Sequence, residues 1–330
     1  MTALSPGDAV DRVAAIFVRD GCSASNAQSV ARALVAAESD GLKGHGLSRI
    51  PTYLQMVRAG KIDGAAQPSA TRPRPGALAI DAAHGFAYPA LDLAVAGLPA
   101  LAAAQGVAAA SIRRSSHCGE TGLPCEALAR QGLVALLFAN TPGAMAPWGG
   151  RQPVFGTNPI AFAAPLQGRE PVVVDLALSK VARGSIVAAK QRGESIPQGW
   201  ALDAGGNATT DPDKGLAGSM IPLGDAKGAA LAFMVEVLAA CLTGANLAFE
   251  ASSFLDDKGP PPATGQLLLA IDPSAFGHGR FGERIAALAD AIEQQPGARL
   301  PGTRRLASRA RAAREGIVIP PEIEALGNWK

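Results

Sequence analysis

The chain has 330 residues, 48% of them hydrophobic and 18% charged, with a formal net charge of +2. That supplies ample apolar material for one large core or two, and the near balance of charge argues against nucleic acid as a partner. Cys22, Cys118, Cys125 and Cys241 form neither a C-x-x-C pair nor a metal-ligand spacing, so reduced thiols and no metal are expected.

The residues from Met1 to Pro6 lack the charged-then-apolar layout of a leader. The richest apolar stretches are broken by Gly, Pro or charge before membrane-spanning length, so a cytoplasmic protein with no membrane partner is expected. Residues 5–20 read as a helix with Ser5 as cap, Pro6 at the first position and Gly21 as stop. Helices follow over about Ser25–Glu38 and Thr52–Ala59; proline-rich 67–75 reads as a connection, Ala77–Asp81 as a strand and Ala90–Ala104 as a helix. Strands are expected at Val107–Ile112, Leu133–Phe138, Ile160–Ala164 and Val172–Asp175, with helices at Cys125–Gln131 and Leu178–Lys190. Residues 193–224 are turn-rich. Asp225 opens what reads as the longest helix, to about Leu242, so evenly apolar that burial is expected. Leu267–Ile271 reads as a buried strand, Phe281–Glu293 as a helix, and the basic stretch Arg304–Arg314 as a solvated helix face. The mixture, with no repeat and no clean linker, gives an α/β (α+β mixed) class.

One stretch, Glu38 to Tyr53, carries His45 between two glycines with Arg49 four residues on. Ser48 is expected to cap a helix beginning at Arg49, with Pro51 in its first turn. An imidazole beside a guanidinium and helix-terminal N–H groups suits a small carboxylate awaiting proton transfer. On this stretch alone, a surface loop turned by its glycines is an equal reading. His117, ahead of Gly119 and Gly122, follows a strand and can meet a ligand edge or simply bond a carbonyl. Lys227 opens an apolar helix, where its charge opposes the macrodipole unless an anion lies between. Asp175 ends a strand, placed to accept from a ribose or to cap the next helix. Gly277 to Gly282 matches G-x-G-x-x-G, yet only 48 residues follow Gly282, too few for the remaining units of a dinucleotide fold. No Ser-His-Asp order with a nucleophile elbow and no H-E-x-x-H occurs.

These blocks, together with Ala146 to Gly150, Gly156 to Pro159 and Thr209 to Pro212, resemble the type-2 malate/L-lactate dehydrogenase family from end to end. The resemblance implies a non-Rossmann fold, and a single catalytic unit over 1–330. Within it, about 1–75 with 290–330 would be mainly helical, and about 76–289 a mixed-sheet cofactor-binding core. It implies a homodimer and hydride transfer between NADPH or NADH and C2 of a small carboxylate substrate. His45 matches a histidine that handles the proton and Arg49 one that holds the carboxylate; His117 matches a proton acceptor in some members and a cofactor contact in others. Thr157 resembles a substrate contact. Gly119, Glu120, Thr121, Asn140, Asp175, Leu176, Ala177, Lys227, Gly228 and Arg280 resemble cofactor contacts, with Arg280 and Arg284 tilting the cofactor toward NADPH. The nearest likeness is to sulfolactate dehydrogenases and to Δ1-piperideine- and Δ1-pyrroline-2-carboxylate reductases. In the imino-acid reductases a serine and an aspartate complete a relay, and Gly44 and Ser185 stand at those positions here. That departure favours a 2-oxo/2-hydroxy-acid dehydrogenase over an imino-acid reductase, with a non-catalytic nucleotide- or metabolite-binding relative as the alternative of another class.

Overall fold

A computed structural model describes residues 3–327. Strand β1 (Ala3–Leu4) leads into α1 (Pro6–Arg19), whose first turn is capped by Ser5 Oγ accepting from Asp8 N at 3.1 Å. Helix α2 (Ala24–Ser39) is capped by Ser23, two residues before the expected start, and α3 spans Ile50–Arg58. The apolar stripes of these helices enclose Val13, Ile16, Phe17, Leu34, Ile50 and Leu54 in one core. Burying a side chain such as Phe17 contributes about 2–3 kcal/mol.

Next come β2 (Ser69–Arg74), β3 (Ala77–Asp81), α4 (Ala87–Gln105), β4 (Val107–Ser115), α5 (Gly122–Ala129) and β5 (Val134–Ala139). The segment expected as a connection is thus a strand, at the sheet's edge and exposed throughout, where Pro73 costs no ladder bond. Helix α4 is long and apolar enough to cross a membrane. Here its Ala87, Ala90, Leu91, Ala94, Leu98 and Leu101 face the sheet core instead.

The chain continues through β6 (Ile160–Ala164), β7 (Val172–Leu176), α6 (Arg183–Arg192), β8 (Ala201–Leu202), β9 (Ala208–Thr209), α7 (Pro212–Ala217) and β10 (Ser219–Met220). The turn-rich segment therefore holds a small three-stranded sheet. Helix α8 (Ala226–Glu236) passes into a π-turn at Val237–Cys241. After β11 (Thr264–Ile271) come α9 (Phe281–Glu293), α10 (Thr303–Glu315), β12 (Ile317–Val318) and α11 (Pro321–Gly327).

The main sheet has the order β2-β3-β4-β11-β5-β6-β7. Only β3 and β4 run parallel, joined across α4; every other neighbouring pair is antiparallel. This is a mixed sheet of non-Rossmann topology, as the sequence implied. Its register sets the site: Ser115 pairs with Thr264, Gln266 with Ala139, and Ile160 with Leu176. The residues leaving β4, β5 and β7, and those entering β6 and β11, therefore gather at one end of the sheet.

Two further expectations fail. Helix α8 is not the longest helix, having 11 residues against 19 in α4, and it is not wholly buried: Leu231, Phe233, Met234, Val237 and Leu242 are exposed along it and its continuation. The basic face of α10 is not wholly solvated either. Arg305 is 9% exposed and its guanidinium reaches Glu120 at 3.1 Å and Glu126 at 3.0 Å, while Arg309 makes a two-pronged contact with Asp40. Alternate spacing of arginines reads as a surface helix because the carboxylates that pull two of them inward lie far off in sequence.

Candidate active site

The loop after α2 is two single 3₁₀ turns, Lys43–His45 and Leu47–Arg49, leading into α3. Glu38 Oε2 accepts from Leu47 N at 3.0 Å, and a Cβ on Gly46 would lie 2.3 Å from that same oxygen. Gly46 is therefore required by close approach. Ser48 does not cap α3: its hydroxyl donates back to Lys43 O at 2.6 Å. Arg49 itself occupies the cap position, with Nε donating to Gly44 O at 2.6 Å. The backbone of the first 3₁₀ turn is thereby locked to the guanidinium that precedes α3.

This loop lays His45 against His117. The rings are parallel within 13°, their centroids 5.3 Å apart. His117 Nδ1 lies 2.6 Å from Tyr53 Oη, and Tyr53 Oη lies 2.9 Å from Tyr88 Oη. Phe254 closes the other side of His117, edge-on at 5.3 Å. The loop bearing Phe254 is held by Lys61, whose buried Nζ donates to Ser253 O, Asp256 O and Lys258 O at 2.6–3.0 Å. Burial, and secondarily the Arg49 charge, lower the His45 pKa to about 4. His117 is driven well below the usual imidazole value by burial, then by Arg49 and His45. Both imidazoles are neutral at pH 7, and Arg49 is the cation that faces them.

The other anticipated residues occupy the same end of the sheet. Asn140 Nδ2 and Asn158 Nδ2 donate to the two oxygens of buried Glu236, at 3.1 and 2.8 Å, which fixes the loop on which Thr157 sits. Asp175 does not cap the next helix along the chain. Its carboxylate accepts from Thr121 Oγ1 and Gly122 N, each at 2.6 Å, and so caps α5 instead. Glu120 is buried against Arg305, its pKa raised by burial and by the Asp40 charge. Leu176 is exposed at the end of β7, and Ala177 follows it half-buried. Lys227 is exposed on the first turn of α8, without an ion pair among the described residues. Gly228 beside it has no room for a Cβ, which would meet Leu223 O at 2.0 Å.

Arg280 stands apart. It follows the far end of β11, where Ile271 pairs with Val107 and Val134, and it is spent on an exposed pair with Glu283. The eight residues of β11 put about 25 Å between that end and His117 within one chain. Gly302 and Arg305 instead approach Val173, Gly122 and the Asp175 cap. Periodicity gave no sign of Glu236, Arg305, Tyr88, Phe254 or Lys61 as site residues, because each acts through a contact distant in sequence.

The residues present fit a polar cofactor. Ser115 Oγ, Ser116 Oγ, Gln266 Oε1, Glu120 Oε2, Asn158 Oδ1 and His45 Nδ1 are buried without a hydrogen-bond partner among the described residues. Unpaired buried polar atoms are costly, on the order of 1–3 kcal/mol each. Six at one end of a sheet indicate a ligand with a carboxamide and hydroxyls to offer.

A family model described as malate/L-lactate dehydrogenase matches residues 4–326. The chain belongs to that family. It is 52% identical over 297 residues to a (2R)-3-sulfolactate dehydrogenase (NADP(+)) of Chromohalobacter salexigens, covering 90% of this chain and 88% of that one. It is 40% identical over 310 residues to a Δ1-pyrroline-2-carboxylate/Δ1-piperideine-2-carboxylate reductase of Pseudomonas putida, covering 92% and 90%. Among solved structures, the Δ1-piperideine-2-carboxylate reductase of Pseudomonas syringae superposes with a TM-score of 0.94 at 39% identity, covering 99% of each chain. The sulfolactate dehydrogenase of Methanocaldococcus jannaschii does so at 0.89 and 27%, covering 99% and 95%. As a member of this family the chain is an NAD(P)-dependent oxidoreductase.

Proposed function

We propose that this family member is a homodimeric, cytoplasmic NADP(H)-preferring dehydrogenase of a small 2-oxo/2-hydroxy acid of the sulfolactate type, acting as one catalytic unit over its length. The observation that carries it is the arginine beside two stacked, neutral imidazoles, half-buried His45 and buried His117. Arg49 grips the substrate carboxylate and so fixes C2. A nicotinamide bound beside it would supply the hydride, and His45, or His117 beside it, supplies the proton. Thr157 contacts the substrate; His117, Gly119, Glu120, Thr121, Asn140, Asp175, Leu176, Ala177, Lys227 and Gly228 line the cofactor. The relative at 52% identity supports both the 2-oxo acid and NADP(H).

The exposed apolar side chains of α8 and its continuation support the homodimer, since Leu231, Phe233 and Met234 with Val237 and Leu242 beyond them offer a natural surface for a second copy. The second reading, reduction of a cyclic 2-imino acid, is favoured by the Pseudomonas syringae reductase fold. Against it stand the two departures. Gly44 has open space where a serine would fit, and Ser185 is exposed on the first turn of α6. Oxidation of NADPH and NADH should be followed with sulfopyruvate, oxaloacetate, pyruvate, Δ1-piperideine-2-carboxylate and Δ1-pyrroline-2-carboxylate. Turnover of the 2-oxo acids ahead of the cyclic imines supports the proposal. The reverse order makes the chain an imino-acid reductase, and nucleotide binding with no turnover makes it a binder.

A further inference from the structure

Three elements converge on one nitrogen. Tyr53 lies one turn beyond Arg49 on α3, Tyr88 opens α4, and His117 follows β4. Both tyrosines are buried, at 1% and 6% exposure, and their hydroxyls form a chain of 2.9 and 2.6 Å that ends on His117 Nδ1. Gly119 makes room for it: with φ at +64°, a Cβ there would lie 2.6 Å from Tyr88 Oη. The backbone just after His117 is thus shaped around this hydroxyl pair. Among the described residues none hydrogen-bonds His117 Nε2, and His45 Nδ1 is buried with no partner there.

We propose that Tyr53, backed by Tyr88, is the positioning residue that holds His117 in a single tautomer, with Nδ1 accepting from Tyr53 and Nε2–H left for the substrate. The inference rests on the reading of this pocket as the site of proton transfer, and it selects His117 as the oriented imidazole of the pair. A hydroxyl suits this role because it can reverse. It donates to Nδ1 of the neutral ring and accepts from Nδ1–H of the imidazolium. A carboxylate in its place would add a negative charge and raise the proton affinity of the ring; a tyrosine hydroxyl orients the ring and leaves its charge to be set by what binds Arg49. When the protonated ring serves as acid, its Nε2–H bond breaks as the substrate O–H bond forms. The ring is left neutral with Nδ1–H donating to Tyr53. After product release a solvent proton adds at Nε2, and the Nδ1 proton is passed on through the hydroxyls of Tyr53 and Tyr88 to solvent, which restores the resting tautomer with no net change in protons.

With four histidines in the chain, ¹⁵N-histidine labelling resolves the ring nitrogens directly. At pH 7.5, in the whole protein without substrate, the expected spectrum for His117 is a protonated Nε2 and an unprotonated, hydrogen-bonded Nδ1. His117→Gln assigns the signal. Tyr53→Phe should convert this to a mixture of tautomers, lower kcat by about tenfold or more with little change in KM, and move the acid limb of the kcat profile. Tyr88→Phe should do the same more weakly. A resting His117 protonated on Nδ1 would overturn the proposal, and so would a single unchanged tautomer in Tyr53→Phe. The wild-type spectrum alone decides the matter if Tyr53→Phe does not fold. The tautomer is read without turnover, so absence of activity with every substrate would defeat the functional reading and leave this result standing.

Discussion

His45 and His117 stack 5.3 Å apart, and burial, then the charge of Arg49, lowers the proton affinity of both. Two neutral imidazoles facing a guanidinium form a pocket that is cationic when empty. An anion on Arg49 offsets the Arg49 share of that bias and favours entry of a proton.

Binding of a substrate-like anion should therefore take up protons. In calorimetry with oxamate in the presence of NADPH at pH 5.5–6, in buffers of different ionisation enthalpy, net uptake is expected, since the free His45 has a pKa of about 4 and ordinary histidine about 6.5. Proton release would contradict it. The same shift has a sign for stability. The fold holds His45 neutral, so this contribution is present above pH about 6.5 and is lost as pH falls from there toward 4. Denaturation midpoints should drop over that window, and by less in His45→Gln.

Arg49→Lys should raise KM for the substrate by roughly tenfold or more, because an ammonium cannot reproduce the two-pronged contact. It also removes the Nε donation to Gly44 O that locks the His45 loop. Nucleotide affinity, measured by fluorescence, should hardly change. An unchanged KM would take Arg49 out of the carboxylate site.

Much of the fold is legible because the helices carry their own signals. Ser5 and Pro6 start α1, Gly106 ends α4, and the run around Leu267 is too apolar for anything but a central strand. His45, Arg49 and His117 are legible as loop residues among glycines, and the family blocks put them in order. Contacts closed between distant segments are not. The inward turn of Arg305 and Arg309 depends on Asp40, Glu120 and Glu126, and nothing local to α10 announces them. Asp175 at its strand end reads as an acceptor for a ribose or as a cap for the next helix, whereas its carboxylate caps α5, some fifty residues earlier. The exposed residues on α8 read as core because composition marks them as apolar without saying which of them the rest of the chain covers.

The buried ion cluster gives a stability prediction. Asp40 has no exposed side-chain surface and accepts both nitrogens of a two-pronged Arg309 contact. Asp40→Ala leaves Arg309 and Arg305 short of a counter-charge, so it should destabilise the fold by about 3–5 kcal/mol. Arg309→Lys should cost less. Urea denaturation checks both, and an Asp40→Ala loss below about 1 kcal/mol would mean the cluster relaxes into solvent.

Phe233 is 61% exposed and Leu242 is 63% exposed in the single chain. If the proposed homodimer forms across this face, Phe233→Glu with Leu242→Glu should convert it to a monomer in sedimentation velocity. Unaltered dimers would move the interface elsewhere.

The most direct test of the account is isotope transfer. NADPH carrying deuterium at both C4 positions should be incubated with the protein and sulfopyruvate, and the product examined by proton NMR and mass spectrometry. The account predicts one deuterium, at C2 of 3-sulfolactate, with NADP⁺ formed in equal amount. Oxidation of the nucleotide without deuterium at C2, or label carried only into a cyclic imine offered in place of the 2-oxo acid, would contradict it.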